Sequence, residues 1–421
     1  MLSTAWPDCS TRSLAVSTSR TLRCSGISSR TTNPMPGDLR MDESPVHCPV
    51  HRVAITPCEV RELTPLLDHL SADSAVQGSR RFPRGTMLDD GRLDLCKQSL
   101  GTDNCLQLVA ALRHNTRVRS LMLGTDAIGD AGAGAVARLA AANAHLKVLY
   151  LGCNNIGPEG AGELAVAVAQ APQVTGLWLK RNPLGAEGAQ SIARMLRGNR
   201  NLRVLDLVNT DLRGAGVRAV VDALCAGGNG LRSLYLSGNG LGPAVAADLA
   251  RLLREAPQIE ELYASANHLG DAGAIELAQA LRENSTLQTL ELASNGIGSH
   301  GARALFEAAR GSSLLSLNLG HAASAKALGA SANQMGDEGA ACAARLIGAS
   351  PVLRKLDLMR NGITECGQSV LMEAALHSRW LGRLIVEGSQ PEALVQHLAL
   401  NRAAHGDDVP TDRALIKSVY R

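Results

Sequence analysis

Aromatic residues are scarce in this chain. Its 421 residues include only two Phe, four Tyr and three Trp. A core must therefore rest on Leu, Ala, Val and Ile. Long apolar runs are also missing. The Ala-rich stretch from Ala135 to Leu151 is broken by Arg138, Asn143, His145 and Lys147, so it falls short of the ~18 residues a bilayer span needs. None of the ten cysteines forms a CxxC pair, and the N-terminal residues lack the apolar segment of a secretory signal. The cysteines read as reduced thiols, and the expected location is cytoplasmic. An excess of charge is missing as well. The formal net charge of +3 is that of residues 1–40, where Arg12, Arg20, Arg23, Arg30 and Arg40 face Asp8 and Asp38. The remainder is balanced, which argues against the basic face that binding to nucleic acid requires.

The motifs of several chemistries are absent too. There is no GxxxxGK[ST] loop, no HExxH and no GxSxG elbow. The sole His/Cys cluster, His47, Cys48 and His51 with Cys58, matches no strong zinc spacing. Two GxGxxA matches, Gly132–Ala137 and Gly160–Ala165, occupy the same place in successive repeats. They read as small residues needed where turn and helix crowd, not as a dinucleotide fingerprint. No catalytic residue, metal site or cofactor is expected.

What the chain has in abundance is glycine, 42 residues of it, and a period. The first apolar residues of successive units are Val118, Leu146, Val174, Leu202, Leu231, Ile259, Leu287, Leu314, Leu353 and Leu381. Their spacing is 27 to 29 residues, except for one step of 39. A weaker unit around Leu93-Asp94-Leu95 precedes them. Leu146 to Ala161 and Leu287 to Ala302 both read LxxLxLxxNxIGxxGA, followed by an Ala/Leu-rich stretch. A fixed period with a fixed motif marks a repeat architecture. The LxL alternation predicts a short strand with both Leu on one side. The following segment, such as Gly188 to Leu196, predicts an amphipathic helix. Such a unit cannot bury its apolar side alone, so units must stack. Strands pack ~4.8 Å apart and helices ~8–10 Å apart, which places strands inside an arc and helices outside. The expected fold is an α/β horseshoe solenoid, with a parallel sheet on the concave face and helices on the convex face.

The pattern resembles leucine-rich repeats of the ribonuclease-inhibitor subtype, as found in Ran GTPase-activating proteins and in the sensor regions of NOD-like receptors. The resemblance covers roughly residues 90–402 and is specific for fold. It is unspecific for function: the non-enzymatic expectation comes from the missing motifs and the protein-binding one from the concave residues below, while the resemblance to Ran GTPase-activating proteins implies, as an alternative, a regulator of a small GTPase. The expected organisation is a Ser/Thr/Arg-rich arm (1–40), a cap segment (41–89) with a helix around 59–70, the array (90–402) and a tail (403–421). The arm reads as disordered, as lying upstream of a true start at Met35 or Met41, or as a targeting signal. That last reading would suit a secreted effector or an immune-type sensor.

Within each motif the Asn is expected to be structural. Asn154, Asn182, Asn239, Asn267, Asn295 and Asn361 are placed to bond backbone groups of their own and neighbouring turns. Asp126 and Thr210 break this rule, and weaker or rearranged turns are expected there. The residue between the two Leu of each LxL should point onto the concave face. In order this column is Met122, Tyr150, Trp178, Asp206, Tyr235, Tyr263, Glu291, Asn318, Asp357 and Ile385. It gathers three of the four Tyr and one Trp, which predicts an exposed aromatic ribbon turning acidic, with Lys180 and Arg181 beside Trp178. A protein partner is expected there, bound by a monomer, with no nucleic acid or membrane involved. The long step places an insertion, residues 320–331, which is expected to project from one rim.

Overall fold

Each LxL motif forms a three-residue strand, and each Gly/Ala-rich stretch that follows forms a helix. The computed structural model describes residues 53–406 and 416–420. All of them lie in one unit, Glu43–Arg421. The arm and the His47/Cys48/His51 cluster fall outside the described residues.

The strands are β1 (Ser79–Arg81), β2 (Thr86–Leu88), β3 (Arg92–Asp94), β4 (Ser120–Met122), β5 (Val148–Tyr150), β6 (Gly176–Trp178), β7 (Val204–Asp206), β8 (Ser233–Tyr235), β9 (Glu261–Tyr263), β10 (Thr289–Glu291), β11 (Ser316–Asn318), β12 (Lys355–Asp357) and β13 (Arg383–Ile385). They form one sheet in chain order. From β3 onward every pairing is parallel. The hairpin β1–β2 adds antiparallel strands at the upstream edge. The helices are α1 (Val60–Ser71), α2 (Gly101–Leu112), α3 (Gly129–Ala142), α4 (Pro158–Ala169), α5 (Gly185–Leu196), α6 (Arg213–Cys225), α7 (Pro243–Glu255), α8 (Gly270–Glu283), α9 (Ser299–Ala309), α10 (Gly336–Ala349), α11 (Glu365–His377) and α12 (Glu392–His405). The first of these lies where the spacing of Val60, Leu63, Leu67 and Leu70 places a helix.

From β3 onward the middle residue of each strand points to the helices. Leu121, Leu149, Leu177, Leu205, Leu234, Leu262, Leu290, Leu317 and Leu356 are fully buried in one continuous core with the apolar helix faces. Removing one such Leu costs about 2–5 kcal/mol. Glycines keep the helices close. A Cβ at Gly216 of α6 would meet Ala189 of α5 at 3.0 Å, and one at Gly132 would meet Ile128 at 2.6 Å, so this glycine of the GxGxxA motif serves packing where the turn enters α3.

Polar groups are tied from repeat to repeat. The side-chain amide of Asn182 donates to Leu151 O and Leu179 O, and its Oδ1 accepts from Asn154 N. Asn154, Asn239, Asn267, Asn295 and Asn361 donate in the same way to the repeat before them. Asn333, beyond the insertion, belongs to the same ladder and accepts from Asn295 N. Thr210 keeps the bond within its own turn, its hydroxyl donating to Leu207 O at 2.8 Å, and its N–H donates to Asn239 Oδ1 of the next repeat at 3.0 Å. Asp126 accepts from Gln98 N at 2.9 Å, but its Oδ2 is buried without a partner. A second ladder runs along the opposite turns. There the amides of Asn115, Asn143, Asn199 and Asn284 donate to carbonyls of the preceding unit. Helix starts are tied as well. Asp130 accepts from Gly157 N and Gly160 N of the next repeat, and Asp271 does the same for Gly298 and Gly301. An orphaned buried donor costs about 1–3 kcal/mol, so these links make each repeat depend on its neighbours.

The insertion does not project. It folds back along the rim of the earlier repeats. Ala322 N donates to Ser294 Oγ and Gly296 N to Ser331 O. Leu328 reaches Gly238, where an added Cβ would meet it at 2.8 Å. Ala325 is buried. The insertion's Ala and Leu side chains give it apolar surface to bury, and its backbone both donates to and accepts from a neighbouring turn.

Candidate functional site: the concave face

Two side-chain columns line the concave face, from the first and third residues of each strand. Sequence reasoning singled out the third-residue column and missed the first, which runs Ser120, Val148, Gly176, Val204, Ser233, Glu261, Thr289, Ser316, Lys355 and Arg383. Its signal was available in the same 28-residue register.

The upstream half corrects the expectation of an exposed aromatic ribbon. Tyr150 and Trp178 are each 2% exposed, and Met122, Asp206 and Tyr263 are also buried. Tyr150, Trp178, Met122, Cys96, Val148 and Val204 form a second apolar cluster, with Tyr235 and Ile416 packed against it. The rings lie flat because glycines leave space beneath them. A Cβ at Gly176 would overlap the Trp178 ring, and one at Gly124 would meet Tyr150 at 2.7 Å. Tyr235 and Tyr263 stack with centroids 4.0 Å apart and planes 3° from parallel. The Tyr263 hydroxyl donates to Glu261 at 3.1 Å, and Ser233 donates to the same carboxylate at 2.7 Å. Tyr235 stays half-buried. Lys180 and Arg181 are also half-buried, and the Lys180 ammonium lies 5.4 Å from the centre of the Tyr150 ring.

Several polar members of the column hold up their own turns. Asp206 accepts from Val208 N, Asn318 from Gly320 N and Asp357 from Met359 N, each two residues on. Asp94, in the first unit, does the same for Cys96 N. Burial raises the Asp206 carboxyl above its usual range, against the pull of Lys180. Burial also raises Asp357, opposed by the Met359 N–H and Lys355.

The downstream half is wetter. Glu291, Asn318, Lys355, Asp357 and Ile385 are all partly exposed. Burial raises the Glu291 carboxyl, Lys355 lowers it, and Asp357 and Glu261 raise it further. The sequence column thus comes together as one surface with two characters. Among the described residues no group of three His, Cys, Asp or Glu is placed to hold a metal. Cys58 is buried, and its carbonyl accepts from Asn104 Nδ2 at 2.8 Å. No helix among those residues is long and apolar enough to cross a membrane.

The strand–turn–helix units and their Asn ladder define the chain as a repeat solenoid. The repeats are leucine-rich repeats: a model described as "Leucine Rich repeat" matches residues 142–165, 198–221 and 283–306. No curated protein matches the chain. Among solved structures, the chain is similar to the crystal structure of the Rad7 and Elc1 complex in yeast, at 14% identity and a TM-score of 0.43, over 79% of this chain and 86% of that one. It is also similar to leiomodin-1 actin-binding site 2, at 12% identity and a TM-score of 0.29, over 45% of this chain and 89% of that one.

Proposed function

We propose that this chain is a protein-interaction scaffold whose concave face receives a protein partner. The observation that carries this reading is the contrast between the two faces of each strand. The helix-facing residues are uniformly Leu and wholly spent on the core. The concave residues differ from repeat to repeat, from Trp178 and Tyr235 through Glu291 to Lys355 and Asp357, on a backbone fixed by two ladders. A preordered array of varied side chains lowers the ordering cost of binding. The best-placed contacts are the half-buried Lys180, Arg181, Tyr235, Glu291 and Asp357. Tyr150, Trp178, Asp206 and Tyr263 act from beneath, as the floor.

The test is affinity capture from the source cell with wild type and with Lys180→Glu/Arg181→Glu and Glu291→Lys variants. Circular dichroism checks that each variant is folded. A partner held by wild type and lost by a folded variant supports the reading. A partner held equally by all would remove the concave face from it. Capture of a small GTPase would bring in the narrower reading of a GTPase regulator, to be followed by GTP hydrolysis with and without the protein.

A further inference from the structure

The upstream half of the concave face already holds a peptide, and it is the chain's own. Residues 416–420, Ile-Lys-Ser-Val-Tyr, sit against the first repeats more than three hundred positions earlier. Ile416 packs on the cluster of Tyr150 and Trp178. The Arg92 guanidinium donates to Lys417 O at 2.6 Å. Val419 N donates to the buried Asp94 carboxylate at 2.7 Å. The Tyr420 and Thr86 hydroxyls pair at 2.7 Å. Residues 416, 418 and 420 are half-buried while 417 and 419 are exposed, so alternate side chains face the sheet.

We propose that the concave surface from β2 to β8 is a receptor for a peptide segment carrying an aliphatic residue and a tyrosine four positions later, and that residues 416–420 are its resident ligand, which a partner segment of that chemistry displaces. Four separate contacts define the specificity. The apolar cluster takes the aliphatic side chain. Arg92 and Asp94 read one backbone carbonyl and one backbone N–H, whatever the side chains between. Thr86 takes the tyrosine hydroxyl. Asp94 is built for this. One oxygen is spent on Cys96 N, and the other accepts from the segment. A contiguous apolar cluster on the outward side of a sheet marks a binding site, and here the occupant is visible. A site filled by its own chain binds a competitor with an affinity reduced by the fraction of time it is free.

This inference rests on the concave-face reading and narrows it to one half of the face. The probe is a labelled peptide of sequence residues 411–421, added to the full chain. The comparison is with the full chain carrying Ile416→Asp and Tyr420→Ala, which empties the seat without touching the repeats. The peptide should bind the emptied protein at least about tenfold more tightly than wild type. Arg92→Ala in the emptied protein, or an Ile→Asp change in the peptide, should abolish that gain. The peptide change leaves the protein's folding untouched. In wild type, the Val419 amide should exchange with solvent slowly, and in the emptied protein quickly. Equal affinity for both proteins, or indifference to the peptide's Ile→Asp change, would overturn the proposal. So would a concentration-dependent dimer dissolved by the peptide, which would assign the occupant to a second copy. Peptide binding that fails while partner capture succeeds through Glu291 would remove this inference and leave the scaffold. The reverse result would remove the scaffold and leave the seat.

Discussion

The two halves of the concave face share a backbone and differ in everything laid on it. Strands β4 to β9 pair in the same parallel register as β10 to β13. Upstream, the exposed-facing positions carry Met122, Val148, Tyr150, Trp178 and Val204, and these are as dry as the core. Downstream, the equivalent positions carry Glu291, Asn318, Lys355 and Asp357, and these remain wet. Register therefore decides which way a side chain points, not whether water reaches it. Large rings over Gly124 and Gly176, with Ile416 above, turn one half into a second core. Smaller or charged side chains at the same register leave the other half open to water.

The comparison breaks most visibly at its centre. Trp178→Ala should cost about 3–5 kcal/mol in urea unfolding, as for a buried core ring. Asp357→Ala, which removes one turn hydrogen bond, should cost about 1 kcal/mol. Equal effects would mean that the two halves do not differ as their burial says. Gly176→Ala comes next. Its new methyl displaces the Trp178 ring, so it should cost about 1–3 kcal/mol, with a red-shifted tryptophan emission as the ring is pushed toward water. An unshifted spectrum would show that the ring has another place to go.

Much of this was legible in the sequence, and the limits have physical causes. The 28-residue period fixed strand, helix and stacking, because apolar spacing and repeat length leave few other ways to bury Leu. Asn154 and its counterparts were legible because a buried amide inside a turn has few other uses. The second ladder through Asn115, Asn143, Asn199 and Asn284 has the same spacing, and it was missed because it lies outside the LxL motif. The fate of Tyr150 and Trp178 was not legible. Their burial depends on Gly124 and Gly176, one strand away or two residues back, and on a segment joined to them only through the fold. The backward path of the insertion was hidden for the same reason, since Leu328 meets Gly238 only in three dimensions.

Asp126 offers a test with the opposite sign. It occupies an Asn position of the ladder, its Oδ2 has no partner, and burial pushes its carboxyl well above the usual range. Asp126→Asn restores the amide donor and should stabilise the fold by about 1–2 kcal/mol at neutral pH. A carboxyl whose folded pKa is raised contributes its full stability at acid pH, and this is lost as pH rises above the usual carboxylate range. The advantage of the Asn variant should therefore shrink as the pH is lowered toward 4. An advantage independent of pH would show that the carboxyl's charge is not what costs stability.

Glu291 sharpens the same point for the wet half, at smaller scale. Its carboxyl is raised by partial burial and by Asp357 and Glu261, while Lys355 and Asn318 hold it down. The sign is that of Asp126: wild type loses a little stability as pH climbs past the ordinary Glu range. Because water reaches the group, Glu291→Gln should gain less than about 1 kcal/mol at pH 7 and close to nothing near pH 4. Thermal melts of both proteins across that interval would read the difference. A gain as large as that of Asp126→Asn would place Glu291 among the buried residues and erase the distinction between the halves. A loss at pH 7 would show that the Lys355 attraction outweighs the two neighbouring carboxylates. The downstream face would then be an ion-paired surface, already neutralised from within, and a poor seat for a basic partner.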